Sequence, residues 1–313
     1  MSIPQTTTAW NVYGSGPGAG TSALQLNNNQ KVPQLSPEDV LAKLRAGSLN
    51  YRDLVICKGT YPRVVEDGVV PGSDGSGVSR FKKGGWVITA FYQNFFGRPA
   101  PTDANFEKAL GGSADGTFRE FGRLEGSTLS CAALTAWNSL NGLQTLHAGD
   151  CVLTQGTGGI SIFALQFAVA TGATVIATTS SDTKAKKLKE LGAHHGLGCN
   201  RVIEVGGPST IKQSLEAIVP GGHIAVIEFL TGMEKCEGHP SFLELFSRMC
   251  VVRGIEVGSR THFEEMIRAI KVNNIHPVLD YTVFPLQQLQ AIFQYQYEQK
   301  HFGKFVASIP SIQ

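Results

Sequence analysis

The stretch that decides the fold is Cys151-Val152-Leu153-Thr154-Gln155-Gly156-Thr157-Gly158-Gly159-Ile160-Ser161. Cys151–Thr154 reads as a short buried strand, glycines follow, and a helix then begins whose Ile160, Phe163, Ala164, Phe167 and Ala168 fall at i, i+3, i+4, i+7 and i+8. Gly156 permits a tight turn and Gly158 lets backbone approach a ligand. The helix N-terminus adds unpaired N–H groups at the positive end of its dipole. That order predicts a cradle for a dinucleotide pyrophosphate over Gly156, Thr157, Gly158, Gly159 and Ile160. Ser161 takes the third position of the glycine fingerprint, where a small side chain is tolerated. The alternative is a plain strand-to-helix turn whose glycines serve packing.

Downstream, strand patterns at Thr174–Thr178, Arg201–Val205, His223–Phe229 and Val251–Val257 alternate with helical ones near 159–171, 183–191, 209–218, 240–249 and 262–273. Such alternation implies βαβ units and a parallel sheet. After Asn274 come a strand at Val278–Val283, a helix near 286–298 and a last strand at Lys304–Ser308. Before about residue 125, clusters of Gly, Pro and Asn surround short β-prone runs such as Val87–Tyr92 and predict an irregular all-β module.

The second strand of the parallel sheet should end beside the adenosine ribose, where an NAD site carries an acid. Here stand Ser180 and Ser181, followed by Asp182 and Lys184. Hydroxyls and an ammonium suit an acceptor-only 2′-phosphate, which favours NADP(H). Asp182 on a ribose would indicate NAD instead, and helix capping is an equal reading of Ser181 and Asp182. Gly206-Gly207 lies where the sheet's carboxyl edge meets a nucleotide, or is simply a turn into the next helix.

The 313 residues suit two domains, and 42% hydrophobic against 17% charged excludes global disorder. With 27 Lys and Arg against 25 Asp and Glu, the net charge of +2 lacks the basic excess of a nucleic-acid binder. No leader-type h-region and no 18-residue apolar run is present, so neither secretion nor membrane insertion is expected. Six cysteines without a CxxC pair fit a reducing, cytoplasmic compartment. Glycine, at 36 residues or about one in nine, exceeds the usual 7% or so, which implies that some are positional.

Several segments in matching order resemble the zinc-independent, quinone-oxidoreductase-like and zinc-type alcohol dehydrogenase-like branch of the medium-chain dehydrogenase/reductase superfamily. They are Gly47–Asp53, Gly59–Pro62, Pro71–Gly77, Cys131–Trp137, Gln155–Ser161, Glu204–Pro208 and His301–Lys304. The resemblance implies a GroES-like β-barrel domain (1–126), a Rossmann domain binding NADP(H) (127–273), a C-terminal return to the first domain (274–313), and an active cleft between the two. It implies Tyr61 as proton donor, with a turn aromatic packed on the barrel as its alternative. Asn50 is implied to orient nicotinamide ribose and substrate oxygen. Thr135 is implied near the nicotinamide, Lys304 joins the cofactor-binding residues, and a homodimer forms through the edge strand near Val251–Val257.

Zinc enzymes of this layout carry Cys where Asn50 stands and His-Glu where Ser73-Asp74 stand. Asn and Ser are not usual zinc ligands, the four cysteines of a structural zinc lobe are missing, and His194-His195 reads as a solvated pair, so no zinc is expected. Without a Lewis acid, a conjugated alkene or quinone accepts hydride more readily than an isolated carbonyl. The expected activity is therefore NADPH-dependent reduction of an α,β-unsaturated carbonyl or a quinone. The alternatives are a catalytically impaired nucleotide-binding or structural member of the fold, and an NADP-linked alcohol dehydrogenase.

Three places depart from the family pattern. A strand is missing between Gly77 and Val78, and another between Phe121 and Glu125. After His195 only five residues precede Arg201, which predicts a Rossmann sheet without its third strand.

Overall fold

The computed structural model describes residues 4–34, 41–79, 85–97, 100–123, 129–194, 198–234 and 238–309. The chain divides into unit 1, comprising Met1–Cys131, Ser259–Thr261 and Leu279–Gln313, and unit 2, comprising Ala132–Gly258 and His262–Val278. The divisions fall after Cys131 and Val278, a few residues beyond the expected 126 and 273. Residues 124–128, which hold the expected first boundary and the site of the second missing strand, lie outside the described residues.

The first strands are β1 (Thr6–Val12), β2 (Leu24–Lys31), β3 (Leu41–Ser48), β4 (Asp74–Ser79), β5 (Gly85–Ile88) and β6 (Phe121–Arg123). Then come β7 (Cys151–Gln155), β8 (Thr174–Thr178), β9 (Ala193–His194), β10 (Cys199–Glu204), β11 (Ile218–Val226) and β12 (Val251–Gly254), and finally β13 (Leu279–Pro285) and β14 (Lys304–Ser308). The helices are α1 (Tyr51–Cys57), α2 (Asp103–Phe106), α3 (Leu134–Asn141), α4 (Gly159–Thr171) and α5 (Asp182–Glu190). They continue with α6 (Ile211–Ala217), α7 (Phe242–Arg248), α8 (Arg260–Val272) and α9 (Leu289–Tyr297). Among the described residues no helix is long and apolar enough to cross a membrane.

Unit 2 is built on a parallel sheet of order β12-β11-β10-β7-β8-β9. This is the doubly wound order, with its switch point between β7 and β10. Val152, Val202, Ile203 and Ile224 are fully buried because strands covered on both faces must be apolar on both. Phe163, Ala164, Phe167 and Ala168 are buried as their spacing predicts; Ile162 and Leu165 are buried too, so α4 is covered on more than one stripe.

The expectation of a lost third strand is corrected. Ala193 and His194 pair with Val175 and Ile176, so that strand persists as a two-residue stub beside β8. The stub meets only the N-terminal half of β8, and β10 enters on the same side of the sheet, Arg201 facing Val152. A full third strand would need a crossover element to bring the chain back down the sheet. His194 stands level with Val202, so the step from His194 to Cys199 covers three strand spacings and three residues along the strand, about 17 Å, within the roughly 18 Å that five residues reach. His195 lies outside the described residues.

Unit 1 holds a second sheet of order β13-β14-β3-β4-β5, with β6 also on β3, and a separate antiparallel pair, β1 and β2. β4 runs unbroken through Gly77 and Val78, where the sequence suggested a lost strand, and pairs with β3 on one side and β5 on the other. A side chain at Gly77 would collide with the Lys43 carbonyl, so glycine is what lets β3 and β4 close up. The core beneath includes Trp10, Leu44, Ile56, Phe118, Phe293 and Phe305. The C-terminal segment enters it through β14, antiparallel to β3. The α/β class with one Rossmann-type sheet and one largely antiparallel sheet is the one the sequence implied.

Candidate functional site

In unit 1 the residues at the family's zinc position are drawn into one buried network. Asn50 precedes α1, and its N–H donates to Asp53 Oδ2 at 2.8 Å, which anchors the helix start. Asn50 Nδ2 donates to Asp74 Oδ2 at 2.9 Å, and its Oδ1 accepts from Lys304 Nζ at 2.7 Å. Lys304 Nζ donates as well to Leu49 O at 2.8 Å and to Asp74 Oδ2 at 3.3 Å, so three acceptors surround its ammonium. Asp74 Oδ1 accepts from Ser130 Oγ at 2.8 Å and Cys131 N at 2.7 Å. Lys304 is 4% exposed and Asp74 fully buried. An ion pair so deep is tolerated because hydrogen bonds satisfy both partners.

Asp53 also accepts from Gly72 N at 3.2 Å. Burial pushes its carboxyl up to about 6, while the Asn50 N–H, Arg52 and Lys304 pull it down. Asp53 and Asp74 are thus matched by Arg52 and Lys304, two charges of each sign. Burial, aided by Asp74, pushes the Cys131 thiol well up, which keeps it a thiol.

These residues do not fit a zinc ion. Asn50 and Asp74 spend their polar atoms on each other and on Lys304, Ser73 Oγ accepts from Arg52 Nη1 at 3.1 Å, and a fixed ammonium holds the cationic place. Among the described residues no three His, Cys, Asp or Glu side chains converge to hold a metal.

Tyr61 follows α1 and packs, half-buried, against the unit 1 core. The Arg52 guanidinium lies 4.7 Å from its ring centroid and donates to Leu110 O at 2.7 Å. The packed-aromatic placement is thus realised, and the cation beside the ring is a feature the sequence did not reveal.

In unit 2 the fingerprint turn leads β7 into α4. Gly156 takes φ +75°, a conformation that suits glycine, and its N–H donates to Thr178 O at 2.9 Å. Gly158 is the N-cap of α4 and offers no side chain to the first-turn N–H groups. A Cβ at either glycine would meet no heavy atom within 4 Å. The space above the turn is therefore open, as a pyrophosphate requires, and the nucleotide fits these residues. Ser161 is buried, and its hydroxyl donates to Gln155 O at 2.6 Å, which accommodates the missing third glycine. Thr157 is buried, and Gly159 and Ile160 open the helix.

Ser180 is exposed after β8, and Ser181 is the N-cap of α5, its hydroxyl accepting from Lys184 N at 3.4 Å. The capping role is therefore filled by Ser181, with Asp182 as the first helical residue. Thr135 is buried in α3, its carbonyl accepting from Ser139 Oγ.

The sequence reading missed the support beneath Gly206-Gly207. Glu204, at the end of β10, is fully buried. Its Oε1 accepts from Gly206 N at 2.8 Å, Gly207 N at 2.9 Å and Thr210 Oγ1 at 2.5 Å. Its Oε2 accepts from Gln155 Nε2 at 2.9 Å and from Ser214 Oγ. Five donors compensate the carboxylate's lost hydration. Because Gln155 immediately precedes Gly156, Glu204 ties the two glycine turns together. No local signal announces a pair 49 positions apart.

Strand order, glycine turn and open helix N-terminus define a dinucleotide-binding fold. A family model described as zinc-binding dehydrogenase matches residues 171–306. A zinc-type alcohol dehydrogenase-like protein of Schizosaccharomyces pombe is 41% identical over 325 aligned positions, which take in 89% of this chain and 93% of that protein. Aligned positions outnumber the 313 residues here, so the yeast protein carries segments with no counterpart in this chain. A crystal structure from Sinorhizobium meliloti 1021, assigned as an alcohol dehydrogenase, superposes with a TM-score of 0.85 at 31% identity over 98% of this chain and 100% of its own. A crotonyl-CoA carboxylase/reductase in complex with NADP shares the fold, with a TM-score of 0.83 at 20% identity over 100% of this chain and 96% of its own. The chain belongs to the medium-chain dehydrogenase/reductase superfamily and is an NAD(P)-dependent oxidoreductase.

Proposed function

We propose that this protein is an NADPH-dependent, zinc-independent reductase of α,β-unsaturated carbonyls or quinones, working in the cytoplasm. The observation that carries the reading is the Asn50–Asp74–Lys304 network, whose donors are used up internally around a fixed ammonium. With no residues suited to a Lewis-acid metal among those described, the substrate is one that is electrophilic by itself.

When bound, NADPH supplies the hydride, which goes to the electron-poor carbon of the alkene or quinone. The Gly156–Ile160 turn and the N–H groups of the first turn of α4 receive the pyrophosphate, and Gly206-Gly207, held by Glu204, border the nucleotide. Ser180, Ser181 and Lys184 supply hydroxyls and positive charge for the 2′-phosphate. Asn50, its amide spent on Lys304 and Asp74, holds that network together rather than meeting ribose or substrate oxygen itself, and Thr135 serves near the nicotinamide. Tyr61 gives its phenolic proton to the enolate or phenolate oxygen, and the Arg52 charge over its ring favours the negative charge left behind.

The test is NADPH consumption against a panel of enones and quinones. Turnover is expected, at least tenfold faster with NADPH than with NADH, and Tyr61→Phe should lower kcat by about 10²-fold or more. No NADPH oxidation from demonstrably folded protein would overturn the reductase reading and leave the nucleotide-binding or structural reading and the NADP-linked alcohol dehydrogenase. Unchanged turnover in Tyr61→Phe would remove Tyr61 as the donor.

The same reading includes a homodimer. β12 is the edge of the unit 2 sheet, and next to it Phe242, Leu243, Phe246 and Met249 are 90%, 78%, 83% and 65% exposed. An open strand edge beside an apolar helix is best covered by its own copy about a two-fold axis, which continues the sheet and buries both faces. Light scattering should give twice the chain mass, and Phe246→Asp the monomer mass; a wild-type monomer at micromolar concentration would refute the dimer.

A further inference from the structure

Cys151 opens β7 and Cys199 opens β10, two neighbouring parallel strands of the unit 2 sheet. Their sulfurs lie 3.8 Å apart, and both residues belong to one apolar cluster with Leu153 and Val202. Alternation alone would aim them to opposite faces, since Arg201 faces Val152 and the register therefore sets Asn200, not Cys199, against Cys151. The pairing of β10 with β11 shifts between Cys199 and Arg201, so the regular register does not extend to Cys199, and its sulfur stands on the face of Cys151. Asn200 Oδ1, accepting from Cys151 N at 2.8 Å, holds the irregular segment in place. Strands about 4.8 Å apart with an offset of one residue put the two Cα atoms roughly 6 Å from each other, within the range that a disulfide bridges.

We infer that Cys151 and Cys199 form an oxidisable dithiol, a modification site that a small peroxide converts to an intramolecular disulfide. Cys151 is half-buried and Cys199 is 2% exposed, so the oxidant enters at Cys151. Burial first, and Cys151 second, push the Cys199 thiol up, so Cys199 stays protonated and the first oxidation falls on the more exposed Cys151. In the first step the Cys151 sulfur attacks hydrogen peroxide. An S–O bond forms, the O–O bond breaks, and the departing hydroxide takes the thiol proton as water. In the second the Cys199 sulfur attacks the Cys151 sulfenic acid. The S–S bond forms, the S–O bond breaks, and the Cys199 proton leaves with the hydroxyl as a second water. Two thiols lose two electrons in all and the peroxide gains them.

The bridge would join the starts of β7 and β10, whose far ends carry the Gly156 turn and the Glu204 carboxylate. It does not depend on the reductase reading, because it needs neither substrate nor nucleotide.

The experiment is treatment of the full, folded chain with hydrogen peroxide, followed by alkylation, intact mass and peptide mapping. The mass should fall by about 2 Da, reversibly with dithiothreitol, as two sulfhydryl hydrogens are lost. Alkylatable thiols should drop from six to four, with one cross-linked pair, Cys151 to Cys199. Cys199→Ser should stop at a sulfenic acid on Cys151, trapped by dimedone. Retention of both thiols, or a disulfide joining any other pair such as one through Cys250, overturns the inference. The peptide map of the wild type decides it even if Cys199→Ser does not fold.

Discussion

Gly158→Asp is expected to keep its fold and to lose NADPH. Gly158 sits at the N-cap with φ −73° and ψ 170°, ordinary extended backbone, and a Cβ there meets no protein atom within 4 Å. Aspartate is among the best N-cap residues, and its charge faces the positive end of the α4 dipole, so the melting temperature should hold or rise slightly. The same carboxylate occupies the open space above the turn and repels the pyrophosphate. A loss of about 100-fold or more in NADPH affinity is expected, some 2.7 kcal/mol. Binding titration beside a thermal melt reads both effects, and an unchanged affinity would place the dinucleotide elsewhere.

Lys304→Met should have the largest effect on stability. Methionine fills much of the volume but leaves the buried Asp74 carboxylate without its counter-charge, and Asn50 Oδ1 and Leu49 O without their donor. Removing one partner of a buried pair costs about 3–5 kcal/mol, a large share of the roughly 5–15 kcal/mol that holds a protein folded. The melting temperature should fall by roughly 10 °C or more. Adding Asp74→Asn should recover part of the loss, since a buried pair removed whole leaves no isolated charge. A single variant that melts like the wild type would mean that the ammonium is not what holds the network together.

The elements read best are those with local causes. β8, β14 and α4 span the residues that the sequence predicts, because strand length, helical spacing and the glycines that start and stop them lie within a few positions. β11 begins at Ile218 rather than His223, since Pro220-Gly221-Gly222 reads as a turn while the strand runs through it. β9 was invisible: two residues carry no periodicity, and only pairing with β8 makes them a strand. The polar networks were equally hidden. Lys304 meets Asp74 and Asn50 from 230 and 254 positions away, so tertiary packing rather than any local pattern chooses the partners. Asn50 and Asp74 could be singled out by what they replace; that an ammonium would close the site between them could not.

Whether the protein binds zinc tests the chemistry at Asn50, Asp74 and Lys304 most directly. Zinc content and NADPH oxidation should be measured on one preparation of the protein grown with ample zinc. Well below one zinc per chain, together with enone- or quinone-dependent turnover that a chelator leaves unchanged, is the predicted result. Stoichiometric zinc, with turnover abolished by chelation and restored by adding zinc back, would contradict it.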